Sequence, residues 1–329
     1  MKHVFIVATE HHLFQVQAAI QHFSLNKDSI ILVVMKLPHD SINETCVKRY
    51  AEFSKIYFFD SWVFADIALG RRKHNKFIDF CLNLRKYHDQ ITLYHSQYSS
   101  DPDLLFLSIL QPKKSFLMDE GAASFGVVRK RMPNSKKYLK LYLKSILYKV
   151  NISIPTSITY FTKYDLRCGS NDSIEKYDIK QIDNPLKSFD YSKAIFIGSS
   201  IVEVGLMKEK KYTELLIRVR KNHADKKWLY YAHRKENSIK LKKIESLGFE
   251  IVRLNIPFET MFSSLVESPA LFCSFFTTGV LNNISEQYAN IPELTIYKFD
   301  TALLRYVKEV YDDIFFSMEK NKRLKFKLI

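Results

Sequence analysis

Short apolar runs alternate along this chain with longer segments whose apolar positions recur every three or four residues. The runs, rich in Val, Ile and Phe, read as buried strands, and the longer segments read as amphipathic helices laid over a sheet. In the first part the pattern predicts strands at Val4–Ala8, Ile30–Met35, Lys55–Phe59, Gln90–Tyr94 and Ser115–Met118. Helices are expected near 13–23, 43–53, 73–87 and 102–110. Such repetition implies a mostly parallel sheet covered on both faces.

A polar stretch at 165–190, carrying Gly169, Ser170, Asn171, Asp172 and Asn184-Pro185, reads as a linker. A second alternating set follows it. Strands are expected at Ala194–Ile197, Trp228–Tyr231, Glu250–Leu254, Ala270–Phe276 and Glu293–Phe299, with helices at 211–222 and 237–247. The expected class is therefore α/β, in the GT-B arrangement of two Rossmann-like lobes facing a central cleft. Residues 1–185 would form the first lobe and 186–300 the second. Residues 301–329 would give a helix packing across the lobes and a basic surface tail. Ligands in such sheets bind outside the carboxyl ends of the strands, but the chemistry has to be argued from the site itself.

At 329 residues and 47% hydrophobic the chain has ample material for two cores,. Cys46, Cys81, Cys168 and Cys273 form no close spacing and read as reduced thiols of a cytoplasmic protein,. Met1–Ala8 reads as a strand rather than a signal peptide, and no apolar run is long enough to span a bilayer,. The net charge of +15 points to an anionic partner: nucleic acid, a membrane face or acidic small molecules,. No RNP, KH or helix-turn-helix pattern supports nucleic acid. Arg129 to Lys149 holds eight Lys/Arg and no acid, with Tyr138, Leu139, Leu141, Tyr142, Leu143, Ile146, Leu147 and Tyr148 around Lys140 and Lys144. That pattern fits a basic amphipathic helix on a membrane interface or an anionic acceptor. A lobe-packing helix with a solvated lysine face accounts for it equally well.

Candidate chemistry gathers at strand ends. Asp119-Glu120-Gly121 follows an apolar run, where a carboxylate can serve as a general base or merely start a helix,. His233 and Arg234 stand where Trp228–Tyr231 gives way to the next helix, a place that favours a phosphate or carries ordinary solvated charge,. Thr277, Thr278 and Gly279 end another apolar run, as an anion nest or a helix cap, with Ser274 just before them,. Gly198 sits in a strand-to-turn segment that could line a nucleotide, and Glu259 stands where it could accept ribose hydroxyls or cap a helix. Neither GxGxxG nor a P-loop is present,. His11-His12 lacks completing metal ligands and reads as solvated or phosphate-facing,.

Taken in order, these segments resemble bacterial sialyltransferases of glycosyltransferase family 52 and the related polysialyltransferases. Asp119-Glu120-Gly121 matches the acidic motif of that family, His233 its HP motif and Thr277-Thr278 its Ser/Thr pair. Phe196–Met207 and the opening Val7–Ile20 are similar to the family's donor-lobe entry and usual start. One departure stands out, since Arg234 occupies the place of the motif proline. The resemblance implies inverting transfer of N-acetylneuraminic acid from CMP-Neu5Ac to a glycan hydroxyl of capsule or lipooligosaccharide, without a metal or other cofactor. It implies Glu120 as base with Asp119 supporting or replacing it, and His233 stabilising the departing phosphate. Arg234, Thr277, Thr278 and Ser274 would serve the phosphate, Glu259 the ribose, and Gly198 the approach of backbone to nucleotide. Transfer of another CMP-activated nonulosonic acid or Kdo fits the same residues. A basic nucleic-acid-binding protein, or a membrane-associated protein without catalysis, stands as a reading of another class.

Overall fold

The computed structural model describes residues 1–36, 42, 46–48, 53, 55–62, 73–98, 100–119, 123–129, 135–178, 183, 186–253 and 258–329. The chain divides into two compact units, Met1–Asp178 and Ile179–Ile329.

Among the described residues, the first unit is built on seven parallel strands: β1 (Lys2–Val7), β2 (Ile30–Lys36), β3 (Lys55–Asp60), β4 (Ile91–His95), β5 (Lys114–Met118), β6 (Thr159–Thr162) and β7 (Ser173–Lys176). Their order is β3-β2-β1-β4-β5-β6-β7, so the direction of winding reverses between β1 and β4,. Val4, Ile6, Ile31, Val33, Ile91 and Leu93 face a core completed by the helices Lys73–Arg85 and Asp101–Leu110. The opposite face carries an aromatic ladder across neighbouring strands. Phe5 stacks on Tyr94 at 4.2 Å between ring centroids, and Tyr94 on Phe116 at 5.1 Å. Helix α1 (Glu10–His22) leads away from β1. The stretch read as a linker differs from expectation, because it contributes the edge strand β7. Its Ser-Ile-Glu-Lys sequence is too polar and too short to register as an apolar run.

The second unit repeats the plan with, among the described residues, six parallel strands: β8 (Ser188–Ile197), β9 (Lys227–Tyr231), β10 (Phe249–Val252), β11 (Glu267–Phe275), β12 (Glu293–Lys298) and β13 (Lys325–Leu328). The order β10-β9-β8-β11-β12-β13 places the winding reversal between β8 and β11. Ala194, Phe196, Trp228, Tyr230, Phe272 and Phe275 are buried. The helix Lys308–Glu319 turns Val310, Ile314, Phe315 and Met318 inward, and Phe315 meets Phe276 and Phe326 edge-on. The segment read as a basic surface tail ends in β13, whose lysines alternate with Phe326 and Leu328, as suits a sheet edge,.

These two parallel sheets with covering helices realise the two-lobed Rossmann-like α/β class expected from the sequence. Among the described residues, no helix is long and apolar enough to cross a membrane.

Candidate functional site

In the second unit the candidates His233, Thr277 and Thr278 stand at the carboxyl ends of strands, and Ser199, which the sequence did not single out, stands with them. Ser199 follows β8 and Thr277 follows β11, so the two flank the winding reversal, and their hydroxyls lie 3.5 Å apart. A crevice opens at such a reversal because the helices on either side leave in opposite directions. Thr278 and Gly279 then lead into the helix Val280–Gln287, with Gly279 at its N-cap. His233 follows β9, on the other side of β8. Its Nδ1 accepts a hydrogen bond from Lys235 N at 3.2 Å. A neutral ring in that state carries its proton on Nε2, which is thereby a donor. Burial, aided by the Lys235 charge, lowers the His233 pKa below its ordinary value, so the neutral form is favoured,.

What holds the His233 turn is a buried polar network that sequence reading missed. Glu236 and Lys240 are almost wholly excluded from solvent. Lys240 Nζ lies 2.6 Å from Glu236 Oε1 and 3.3 Å from Glu203 Oε2, donates to Ser199 O at 3.2 Å, and sits 4.0 Å from the centroid of the Tyr212 ring. Glu236 Oε1 also accepts from Tyr230 Oη at 2.7 Å, and Glu236 Oε2 accepts from His233 N at 2.6 Å. Tyr230 and Tyr212 share a hydroxyl hydrogen bond of 2.8 Å. The Arg253 guanidinium adds bonds to Arg234 O and Glu236 O. Buried polar groups need partners, and here each partner comes from a different element. The turn is therefore tied to β8, β9 and the helices Glu209–Lys221 and Ser238–Ser246 at once. Burial raises the Glu236 pKa, against the opposing pull of Lys240. The sequence does show one sign of this network, the Glu236/Lys240 spacing of four across a helix start.

In the first unit, Asp119 follows β5 and is 2% exposed. Its Oδ1 accepts from Ser124 Oγ at 3.2 Å and its Oδ2 from Lys163 N at 3.1 Å, while Gln15 Nε2 donates to the Asp119 carbonyl. Burial pushes its pKa up to about 6, although Thr162, Lys163 and Ser124 pull the other way. Both carboxylate oxygens of Asp119 are thus engaged by protein donors. Glu120 and Gly121 lie outside the described residues. The winding reversal of this sheet is filled by protein: His12 Nδ1 accepts from Ala8 N at 3.0 Å and lies 3.1 Å from Ser96 Oγ. His12 is thus neither solvated nor phosphate-facing, as the sequence suggested. It caps α1, and burial drives its pKa down to about 3.

Three further candidates have protein-side explanations. A Cβ on Gly198 would lie 2.4 Å from Glu236 Oε2 and 2.6 Å from Tyr230 Oη, so the space beside this glycine belongs to the buried network. Ser274 is fully buried inside β11, its hydroxyl without a hydrogen-bond partner, one residue short of the strand end. Glu259 lies in the helix Phe258–Phe262, where its Oε1 accepts from Asn283 Nδ2 at 3.0 Å. Arg234 is exposed next to His233. Among the described residues, no group of three His, Cys, Asp or Glu is placed to hold a metal.

Comparison with solved structures bears on the fold. UDP-GlcNAc 2-epimerase from Methanocaldococcus jannaschii matches with a TM-score of 0.51 and 10% identity, over 98% of this chain and 94% of that one. A Listeria monocytogenes protein assigned as a UDP-N-acetylglucosamine 2-epimerase matches with a TM-score of 0.50 and 9% identity, over 90% of this chain and 78% of that one. The GT-B domain of a Photobacterium damselae sialyltransferase aligns over 100% of both chains at 12% identity, with a TM-score of 0.46. No protein-family profile matches the sequence, and no curated protein is significantly similar to it. The first two likenesses place the chain in the two-lobed Rossmann-like architecture, and at such identities the reaction has to be argued from the site.

Proposed function

We propose that this chain is a cytoplasmic glycosyltransferase that moves a sialic acid from its CMP-activated form to a glycan hydroxyl with inversion. The observation that carries the reading is the placement of His233, Ser199 and Thr277 at the carboxyl ends of the adjacent strands β9, β8 and β11, with Nε2 of His233 left as a donor. Neutral and hydroxyl donors grouped at a strand-end crevice suit the phosphate of a sugar nucleotide. The choice of a CMP-sialic acid rests on the order of the acidic, histidine and Thr-Thr motifs.

In this reading the acceptor hydroxyl oxygen attacks the anomeric carbon and its proton passes to Glu120. The bond from that carbon to the phosphate oxygen breaks, and CMP leaves with the electron pair. His233 Nε2–H donates to the phosphate oxygen as negative charge grows there, where a preorganised donor is most effective. Thr277 and Thr278 hold the same phosphate from the β11 side, and Arg234 adds positive charge. Asp119 holds the acidic turn in place.

CMP release from CMP-N-acetylneuraminic acid, with lactose as acceptor, tests the proposal. Wild-type turnover that disappears in Glu120→Ala and His233→Ala supports it. Turnover of CMP-Kdo alone keeps the site and changes the sugar. A folded sample that neither turns over nor is protected by CMP against thermal unfolding removes the transferase reading.

A further inference from the structure

The helix Ser135–Tyr148 is mounted with its apolar side outward. It is fastened to the first unit by a small polar cluster. Tyr148 Oη donates to Asp101 Oδ2 at 2.8 Å and accepts from Trp62 Nε1 at 2.9 Å, while Lys144 pairs with the other oxygen of Asp101. Leu141 is buried on the same side. That attachment uses Lys144 and leaves the rows on the other side of the helix exposed. Tyr138, Tyr142 and Ile146, spaced four apart, are 57%, 64% and 58% exposed, and Leu139 beside them is 61% exposed. Residues four apart stack on one helix face, so these side chains form a continuous apolar stripe. A helix serving only to pack the first unit would bury that stripe and expose Lys144, the reverse of what is seen.

The charge beside the stripe selects what covers it. Lys140 and Lys149 are exposed, and no acid occurs between Arg129 and Lys149. A second copy of a chain of net charge +15 would bring these lysines against their own kind,. An anionic lipid surface meets both demands, since it offers acyl chains to the stripe and phosphates to the lysines, and tyrosines are favoured at that boundary. A groove of about 620 Å³ continues the face, running between the helix and residues 150–154, with Tyr142, Ile146, Val150 and Ile152 in its walls.

We propose that the outward face of Ser135–Tyr148 is a docking surface for an anionic membrane, lying in the interface with Tyr138, Tyr142 and Ile146 buried among the lipids. The inference stands apart from the sugar-transfer reading, because lipid binding is measured without any sugar nucleotide.

The test is cosedimentation of the full chain with vesicles of equal parts phosphatidylglycerol and phosphatidylcholine, and with vesicles of phosphatidylcholine alone. Binding to the anionic vesicles at least tenfold stronger is expected, falling as salt is raised. Tyr142→Ser with Ile146→Ser should lower that binding by more than tenfold, and Lys140→Glu by roughly fivefold or more. Because both apolar positions are exposed, the thermal transition of the double variant should match wild type. A Tyr142→Trp reporter should shift its emission to the blue on anionic vesicles only. Equal binding by wild type and the double variant overturns the proposal, as does absence of binding to either vesicle. A dimer in solution that dissociates on Ile146→Ser also overturns it, by assigning the face to a second copy.

Discussion

Lys240 Nζ lies 2.6 Å from Glu236 Oε1, and neither side chain reaches solvent. A buried pair of this kind gains little over an apolar pair, but removing one member strands the other charge. Lys240→Met and Glu236→Gln should each lower unfolding free energy by about 3–5 kcal/mol. The double variant should lose less than the two losses combined, since neither member of the 2.6 Å pair then remains without the other,. Urea denaturation of all four proteins measures this, and strict additivity would remove the coupling. Both single variants should also lose turnover, because Glu236 holds His233 N.

Gly198 is required by the same network. An added methyl meets a carboxylate oxygen at 2.4 Å and a phenol at 2.6 Å, both fixed by other bonds. Gly198→Ala should destabilise the protein by about 1–3 kcal/mol, as overpacking does. The accompanying sign is that Gly198→Ala in a Glu236→Ala background costs less than in wild type. An equal cost in both backgrounds would detach the glycine from the network.

Asp119 gives a pH signature of defined sign. Its pKa stands at about 6 in the fold, above the ordinary 3.8, so the folded state binds the proton more tightly than the unfolded one. The stability this lends is complete below about pH 4 and is lost as pH rises through 6, by roughly 3 kcal/mol in all. Asp119→Asn should flatten that decline, while Asp119→Ala should destabilise at every pH by removing the acceptor of Lys163 N and Ser124 Oγ,. Unfolding free energies at pH 4, 5, 6 and 7 measure both. If Asp119 only positions the turn, Asp119→Asn retains turnover within about tenfold, whereas Glu120→Gln loses a hundredfold or more, as removal of a general base does. The opposite ranking would make Asp119 the base.

The strand ends that carry these residues were legible because each follows an unbroken apolar run, as Phe116–Met118 precedes Asp119 and Trp228–Tyr231 precedes His233. Strands β7 and β13 were not, since a half-covered edge strand needs few apolar residues and charge dominates its composition,. The Glu236/Lys240 spacing was visible, yet charged pairs at a helix start are ordinarily solvated. Their burial depends on Tyr212 and Tyr230, supplied by other elements. Gly198 likewise looked open because the side chains filling its space come from β9 and the turn beyond it. One donor to Asp119, Lys163 N, lies 44 residues further along, a contact that no local pattern announces.

His233 offers a test of which ring nitrogen acts. Its Nδ1 is held by Lys235 N, so the proposed donor is Nε2. The Gln amide can reach the place of Nε2, whereas the shorter Asn amide matches Nδ1. His233→Gln should therefore keep at least tenfold more kcat/KM than His233→Ala, and His233→Asn should be no better than alanine. Loss in His233→Ala should fall near a hundred- to a thousandfold, the scale of one preorganised donor. The lowered pKa, caused first by burial and then by the Lys235 charge, sets the pH behaviour,. Stability from this group is present above pH 6.5 and is lost as pH falls through its lower folded value. Activity that depends on the neutral donor should hold level down to pH 6.5 and decline only below it. Rescue by Asn rather than Gln would move the role to Nδ1 and require the Lys235 bond to open during the reaction.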